Sequence, residues 1–579
     1  MPDWFESSRR LTGPNLLFDV PAALLELDCA TSAQCDAWAA RVRATCALLG
    51  WPTPSIAMRM HAPGAVAAFT APVDQLLAAT EVGEWAWQSL AVEVEYAAGG
   101  AEKLPPIPFG PGHAAPGDAD AAFETLARLA RAEARPRECE LRAAAKHHGV
   151  ACLVDDEVLS LGEGRHSQAW PLSGLPESGA VQWDALGQIG IALVTGSNGK
   201  TTSVRLVAAM LRAAGRAPGF NCTDGVFVDG VAIERGDWSG PAGARAVLRD
   251  RRVGSAVLET ARGGILRRGL AVERADAALV TNVSADHFGE YGVHDLDDLA
   301  EAKLVVARAL GRRGTLVLNA DDRTLVRHAR HSDAPLAWFA LDRGNAVLRD
   351  ARADGASTCA YESGRLVLHH AGARSDLGHA AGMPLAMDGA ASYNLANLAG
   401  AALLASVLGV EAAVVASVLG RFGGERADNP GRLERWSIGG AHVLVDYAHN
   451  PEGLAGLLGV AQGLRGPGGR LLLLLGQAGN RGDDAIAALA AVAAAARPDR
   501  VVLKDIAGYM RGRREGDVAR VLSAALQAGG VAADGISVEL DELAASQGLL
   551  REAQPGDVVV LPVHNLDVRD RLTAWLDTH

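Results

Sequence analysis

The run Ile189 to Thr195, which breaks into Gly196-Ser197-Asn198-Gly199-Lys200-Thr201-Thr202, constrains this chain more than any other segment. An apolar, β-branched stretch of strand length, then glycines, then helix formers, predicts a buried strand, a tight turn and a helix from about Thr201. Glycines let backbone N–H groups approach phosphate oxygens, and the helix N-terminus adds partial positive charge. From such a loop Lys200 reaches terminal phosphates and the Thr201 hydroxyl binds magnesium. The strict GxxxxGK[ST] pattern is not met, because Val194 stands five positions before Gly199. The alternative is a glycine-rich turn with an incidental lysine. The placement of Gly-Lys-Thr-Thr directly after a strand argues against it.

Beyond this loop, short apolar runs alternate with helix-length segments. Strands are expected at Ala256–Leu258, Ala278–Val283 and Thr315–Leu318, the grammar of a parallel sheet covered by helices. From about Leu336 to Met387 the runs are split by Gly, Asp and Ser, which suggests an antiparallel insert. After Pro430 alternation resumes, with strands at Val443–Val445, Leu471–Leu475, Val501–Leu503 and Val558–Leu561 and an Ala-rich helix over Ala485–Ala496. This reads as a second α/β domain. Leu104 to Gly112 is dense in Pro and Gly and marks a linker, and Pro171 to Gly179 marks another. Trp85 and Trp87 sit among helix formers and are expected in a helix packed against a core.

The chain has 579 residues, room for three or four domains, and 55 basic against 68 acidic side chains give a net charge of −13. That balance argues against duplex DNA or an anionic membrane as the main partner. Seven cysteines form no CxxC pair, which points to a reducing compartment with neither a disulfide framework nor a zinc ribbon. The start, Met1-Pro2-Asp3-Trp4, lacks signal-peptide character, and no apolar run reaches the ~18 residues of a membrane span. A cytoplasmic protein is expected, with small-molecule or peptide substrates, no nucleic-acid or membrane partner, and a homo-oligomer (dimer or tetramer) open.

Six segments in order carry a family resemblance: Thr195 to Thr202; Glu259-Thr260-Ala261-Arg262-Gly263-Gly264-Ile265-Leu266; Thr281-Asn282-Val283-Ser284-Ala285-Asp286-His287; Leu318-Asn319-Ala320-Asp321-Asp322; Asn429-Pro430-Gly431-Arg432; and Asp446-Tyr447-Ala448-His449-Asn450-Pro451. They resemble the Mur ligase superfamily of ATP-dependent amide-bond formers. Thr223-Asp224-Gly225 and Arg511-Gly512-Arg513 narrow the resemblance to the Mur-like half of the cyanophycin synthetases, over about residues 185 to 579. Arg10 to Asn15 and Thr80 to Trp87 are similar to the N-terminal domain of that family. The resemblance implies an α/β protein: a P-loop parallel-sheet ATPase domain (181–430) plus a Rossmann-like C-terminal α/β domain (431–579), preceded by a small α+β N-terminal domain (1–105). Residues 106–180 are then a linker with a remnant of an ATP-grasp domain, too short for the whole of it, so backbone extension of a polymer is not expected.

In such a ligase ATP turns a carboxylate into an acyl phosphate, and catalysis is mostly positioning and charge neutralisation. By resemblance Gly196, Ser197, Asn198, Gly199, Lys200, Thr201 and Thr202 bind the nucleotide phosphates, Asn319 the adenine, Arg432 a phosphate on closure, and Asp446 the ribose or a neighbouring positive group. Glu259 at a strand end is costly to bury without a cation and is expected to share one magnesium with Thr201. His287 would hold a second magnesium. Lys303 is the position where many family members carry a carbamylated lysine as a further magnesium ligand; a solvated helix lysine is the plain alternative. His449 and Asn450 are expected near the acyl intermediate. Arg262, Arg267, Arg511 and Arg513 are candidate anchors for substrate carboxylates. The amine implied is arginine and the acid an aspartyl β-carboxylate of a cyanophycin-like peptide. A Mur-type ligase making a different small peptide, and a non-catalytic polymer-binding subunit, are the alternatives.

Overall fold

A computed structural model describes residues 7–27, 30–61, 64–97, 114, 117–286 and 288–579. The first unit is an antiparallel sheet in the order Ser7–Leu11, Ala22–Leu27, Ala65–Thr70, Ile56–Met60. Helices Ser32–Leu48 and Leu76–Ala97 supply its core, where Trp38 meets Phe69 edge-on at 5.9 Å and donates from Nε1 to Gly83 O. Trp85 and Trp87 lie in the second helix and pack on the same core, as expected. Helix Ala119–Glu133 adds Ala122, Leu126 and Ala130. Packing therefore carries this unit past the boundary expected at residue 105.

Helix Pro136–His148 and a small antiparallel sheet (Cys152–Val154, Val158–Leu161, Gln168–Pro171) share a separate core around Leu141, Leu159 and Leu161. Polar contacts fasten this unit to the central domain. Glu163 accepts the Ile189 N–H at 3.0 Å and pairs with Arg274, and Asp155 pairs with Arg249.

The central sheet has 11 strands in the order Val231–Arg235, Gly225–Val228, Pro218–Cys222, Ser255–Glu259, Gly190–Thr195, Ala277–Val280, Thr315–Asn319, Leu336–Ala340, Thr358–Glu362, Arg365–His370, Ala373–His379. From Pro218–Cys222 to Thr358–Glu362 all neighbours are parallel. Those strands are apolar on both faces because helices cover both. The region expected as an antiparallel insert is corrected here. Leu336–Ala340 and Thr358–Glu362 extend the same parallel sheet, and only Arg365–His370 and Ala373–His379 turn back antiparallel at its edge. The Gly and Asp residues that broke the pattern sit in turns around a short helix, Ala346–Ala353.

The last unit is a sheet in the order Glu434–Ile438, Ala441–Asp446, Val558–Pro562, Leu471–Leu475, Arg500–Leu503, Ile536–Val538, parallel except for its first pair. Helices flank it, among them Pro451–Leu464 and Asp483–Ala495. The chain is thus an α/β protein with a P-loop parallel-sheet domain and a Rossmann-like C-terminal domain. The carboxyl ends of strands from both sheets line one cavity, where open α/β sheets take ligands. No described helix is long and apolar enough to cross a membrane.

Candidate active site

The phosphate loop leaves Gly190–Thr195 and enters helix Lys200–Ala213. Gly196 (φ +148°) and Gly199 (φ +82°) hold it. A Cβ on the first would lie 1.8 Å from Thr281 Oγ1, and one on the second 2.0 Å from Asn397 Oδ1. The loop is set from outside: Asn198 N–H donates to Asn282 Oδ1 at 2.9 Å, Ser197 Oγ to Ser284 O, and Thr281 Oγ1 to Asn198 O at 2.6 Å. Lys200 Nζ donates to the loop carbonyls of Gly196 and Ser197, both at 3.0 Å. Its charge is held over the turn.

Around it lies a cavity of about 460 Å³ walled by both α/β domains. Glu259 closes its floor at 1% exposure. Thr201 Oγ1 donates to Glu259 Oε2 at 2.8 Å and lies 2.8 Å from Thr223 Oγ1. Burial pushes the Glu259 carboxyl up to about 7, against the opposing pull of Lys200 and Thr201. A buried carboxylate beside two hydroxyls is a hard-oxygen set that fits a divalent cation of magnesium type. Arg432 arrives from the other domain, donating to Thr223 Oγ1 at 3.2 Å and lying 4.5 Å over the Tyr447 ring. Asp446, raised by burial against the opposing pull of Arg432, accepts the Leu433 N–H at 2.7 Å.

Lys303 is 3% exposed, so the solvated-lysine alternative is corrected. It lies on helix Leu296–Leu304, and burial holds it well below the ordinary lysine pKa. His287 lies outside the described residues. Its neighbour Asp286 pairs with Arg481 at 3.0 Å and lies 3.7 Å from His449 Nε2.

The remaining expectations divide. Arg267, Arg511 and His449 line the cavity. Asn319 does not; its amide donates to Thr281 O at 3.1 Å and its Oδ1 accepts Asp321 N–H. Arg262 is committed to Glu290 at 2.6 Å, because burial at 8% exposure demands a counter-charge. Arg513 donates to Gly479 O, Arg481 O and Asp483, so it shapes the loop that presents Arg481 instead of facing substrate. Asn450 reaches the phosphate loop: its amide donates to Asn198 Oδ1 at 2.9 Å.

Several cavity residues escaped the sequence reading. Asn394 and Asn397, from helix Ser392–Val407, stand against the phosphate loop. Tyr393 Oη lines the cavity and Asn429 Oδ1 lies in the adjoining hinge, both buried with no hydrogen-bond partner among the described residues. These are places where a nucleotide would find polar contacts. Tyr447, Gln477, Asn480, Arg481 and Tyr509 complete the C-terminal wall. The spacing Asn394-x-x-Asn397, one helical turn, was the only available signal.

Comparison with known proteins agrees with this geometry. Residues 194–405 match the Mur ligase middle domain, and residues 431–562 the Mur ligase glutamate ligase domain. Cyanophycin synthetase of Synechocystis sp. is 35% identical over 377 residues, 65% of this chain and 42% of that protein. The enzyme of the same name from Trichormus variabilis is 39% identical over 289 residues, 48% of this chain and 32% of that protein. UDP-N-acetylmuramoyl-L-alanyl-D-glutamate–2,6-diaminopimelate ligase of Xanthomonas campestris is 30% identical over 276 residues, 45% of this chain and 51% of that protein. The matched part spans less than half the length of the cyanophycin synthetases.

Proposed function

Because this chain belongs to the Mur ligase family, we propose that it is an ATP-dependent carboxylate–amine ligase working through an acyl phosphate. The carrying observation is that Lys200, Glu259 and Arg432, from three separate segments of two domains, line one cavity.

A carboxylate oxygen of the acid attacks the γ-phosphorus of ATP and ADP leaves. The amine nitrogen then attacks the acyl carbon, phosphate leaves, and the nitrogen gives up a proton to form the amide. Lys200 on one side and Arg432 on the other face the charge that spreads over the transferring oxygens. Arg432 is held for this by the Tyr447 face below it. Walls from both domains screen the acyl phosphate from the water that would hydrolyse it. Thr201 and Glu259 would hold magnesium, which supplies charge neutralisation when bound. Burial of Lys303 favours its neutral amine, the form that would add CO2 as a carbamate and release a proton; the resulting anion would suit a second magnesium ion.

For substrates we propose an aspartyl β-carboxylate on a cyanophycin-like peptide and arginine as the amine. Arg267 and Arg511 in the cavity wall suit substrate carboxylates. Phosphate release from ATP over a panel of acids and amines, with mass detection of the product, tests this. Release only with the aspartyl peptide and arginine supports the full reading. Release with another pair keeps the ligase and replaces the substrates. No substrate-dependent release overturns the ligase in favour of a binding subunit.

A further inference from the structure

Lys504 is completely buried at the end of strand Arg500–Leu503, and no step of the proposed reaction uses it. A lysine that deep persists where its donors are taken. Its Nζ bonds a Glu542 carboxylate oxygen, donates to Pro562 O at 2.7 Å, and lies 3.2 Å from His564 Nδ1. Glu542 accepts the N–H groups of His564 at 2.9 Å and Asn565 at 3.2 Å. His564 meets the cavity wall: its Nε2 is 3.1 Å from Ala448 O, and its ring stands edge-on to Tyr447 at 5.3 Å. Ala448 lies between Tyr447, which supports Arg432, and Asn450, which holds Asn198. There is no slack: a Cβ on Gly476 would lie 2.8 Å from Lys504 Cγ.

We infer that Lys504, Glu542 and His564 form a relay that positions the Asp446–Asn450 loop for the proposed reaction, with Lys504 and Glu542 as positioning residues. The Lys504 ammonium donates to Nδ1, which leaves Nε2 as the protonated nitrogen of a neutral imidazole. The Nε2–H then fixes the Ala448 carbonyl, and with it the support of Arg432 and the clasp on the phosphate loop. The charged and titratable groups around the ring are Lys504, Glu542, Tyr447, His449 and Arg432. Burial, with Lys504 next, holds His564 well below its ordinary pKa, which agrees with a neutral ring.

The activity arm of the test rests on the ligase reading; the spectroscopic arm does not. In ¹⁵N spectra of histidine-labelled protein, His564 is expected as the Nε2–H tautomer, without titration between about pH 5.5 and 8.5. In Lys504→Met it is expected to average between tautomers, with kcat down about tenfold or more. His564→Gln can place an N–H where Nε2 stood and His564→Asn cannot. The Gln variant is therefore expected to keep about tenfold more activity than Asn at matched thermal stability. An Nδ1–H tautomer in the unaltered protein, or equal activity of the folded Gln and Asn variants, overturns the relay. If Lys504→Met does not fold, the His564 pair and the unaltered protein's spectrum decide. Absence of phosphate release from the unaltered protein itself sinks the ligase, and the tautomer then decides the relay alone.

Discussion

A lysine buried as deeply as Lys303 loses its hydration, and Lys200 adds repulsion, so its pKa falls well below the ordinary 10.5. In the unfolded chain the proton binds more tightly. Stability is therefore depressed below the folded pKa and recovers as pH climbs toward 10.5. Lys303→Met should raise the melting temperature at pH 7 in CO2-free buffer with chelator, and that advantage should shrink as pH rises. The same change should remove nearly all phosphate release. In Lys303→Ala, added short carboxylates should restore part of it; full activity without them would exclude the proposed role. Residue chemistry was legible here, but how each residue is spent was not. Arg262 and Arg513 looked like free anchors because Glu290 and Gly479, which occupy them, lie 28 and 34 positions away. Asn319 was singled out because its motif was visible, whereas Asn394 and Asn397 stand in a largely apolar helix.

Elements were legible where pattern and environment agreed. The strand–loop–helix around Lys200 and the strands of the C-terminal sheet follow their apolar runs. The parallel strands Leu336–Ala340 and Thr358–Glu362 were misjudged, because they are short and the turns between them carry the polar signal. One element end does two jobs. Asn450 Oδ1 caps helix Pro451–Leu464 through the Gly453 N–H at 2.9 Å, while its amide holds Asn198. Asn450→Ala should lose about 1 kcal/mol of stability with the cap. Asn450→Ser keeps a capping oxygen but no amide to reach Asn198, so its thermal stability should stay near that of the unaltered protein. Both variants should lose about tenfold in kcat, since the clasp on the phosphate loop is gone in each. A Ser variant with full kcat would show that the clasp does not matter to turnover.

At the scale of the whole molecule, contacts between units decide the site, and these were the least legible. Arg59 of the first unit binds Asp298 and lies 2.9 Å from Glu301, on the helix that carries Lys303. Glu290 bridges Arg262 to Asn480 of the C-terminal domain. Asp224 also joins the two α/β domains, 3.1 Å from Arg205 on its own side and 3.0 Å from Arg569 across the gap. Burial works to raise the Asp224 carboxyl, and Arg432, Arg205 and Arg569 overcome it, leaving it below the ordinary range. Removing the two sides of this junction should therefore differ. Asp224→Asn leaves buried arginines without their counter-charge and should cost about 3–5 kcal/mol in chemical denaturation. Arg569→Met leaves the Arg205–Asp224 pair intact, so its stability loss should be about 1–2 kcal/mol. Without that cross-domain bond the closed arrangement should be less populated, seen as a larger radius of gyration in solution scattering and a lower kcat. If Arg569→Met lost as much stability as Asp224→Asn and kept its compactness, the junction would be a folding contact and not a latch between domains.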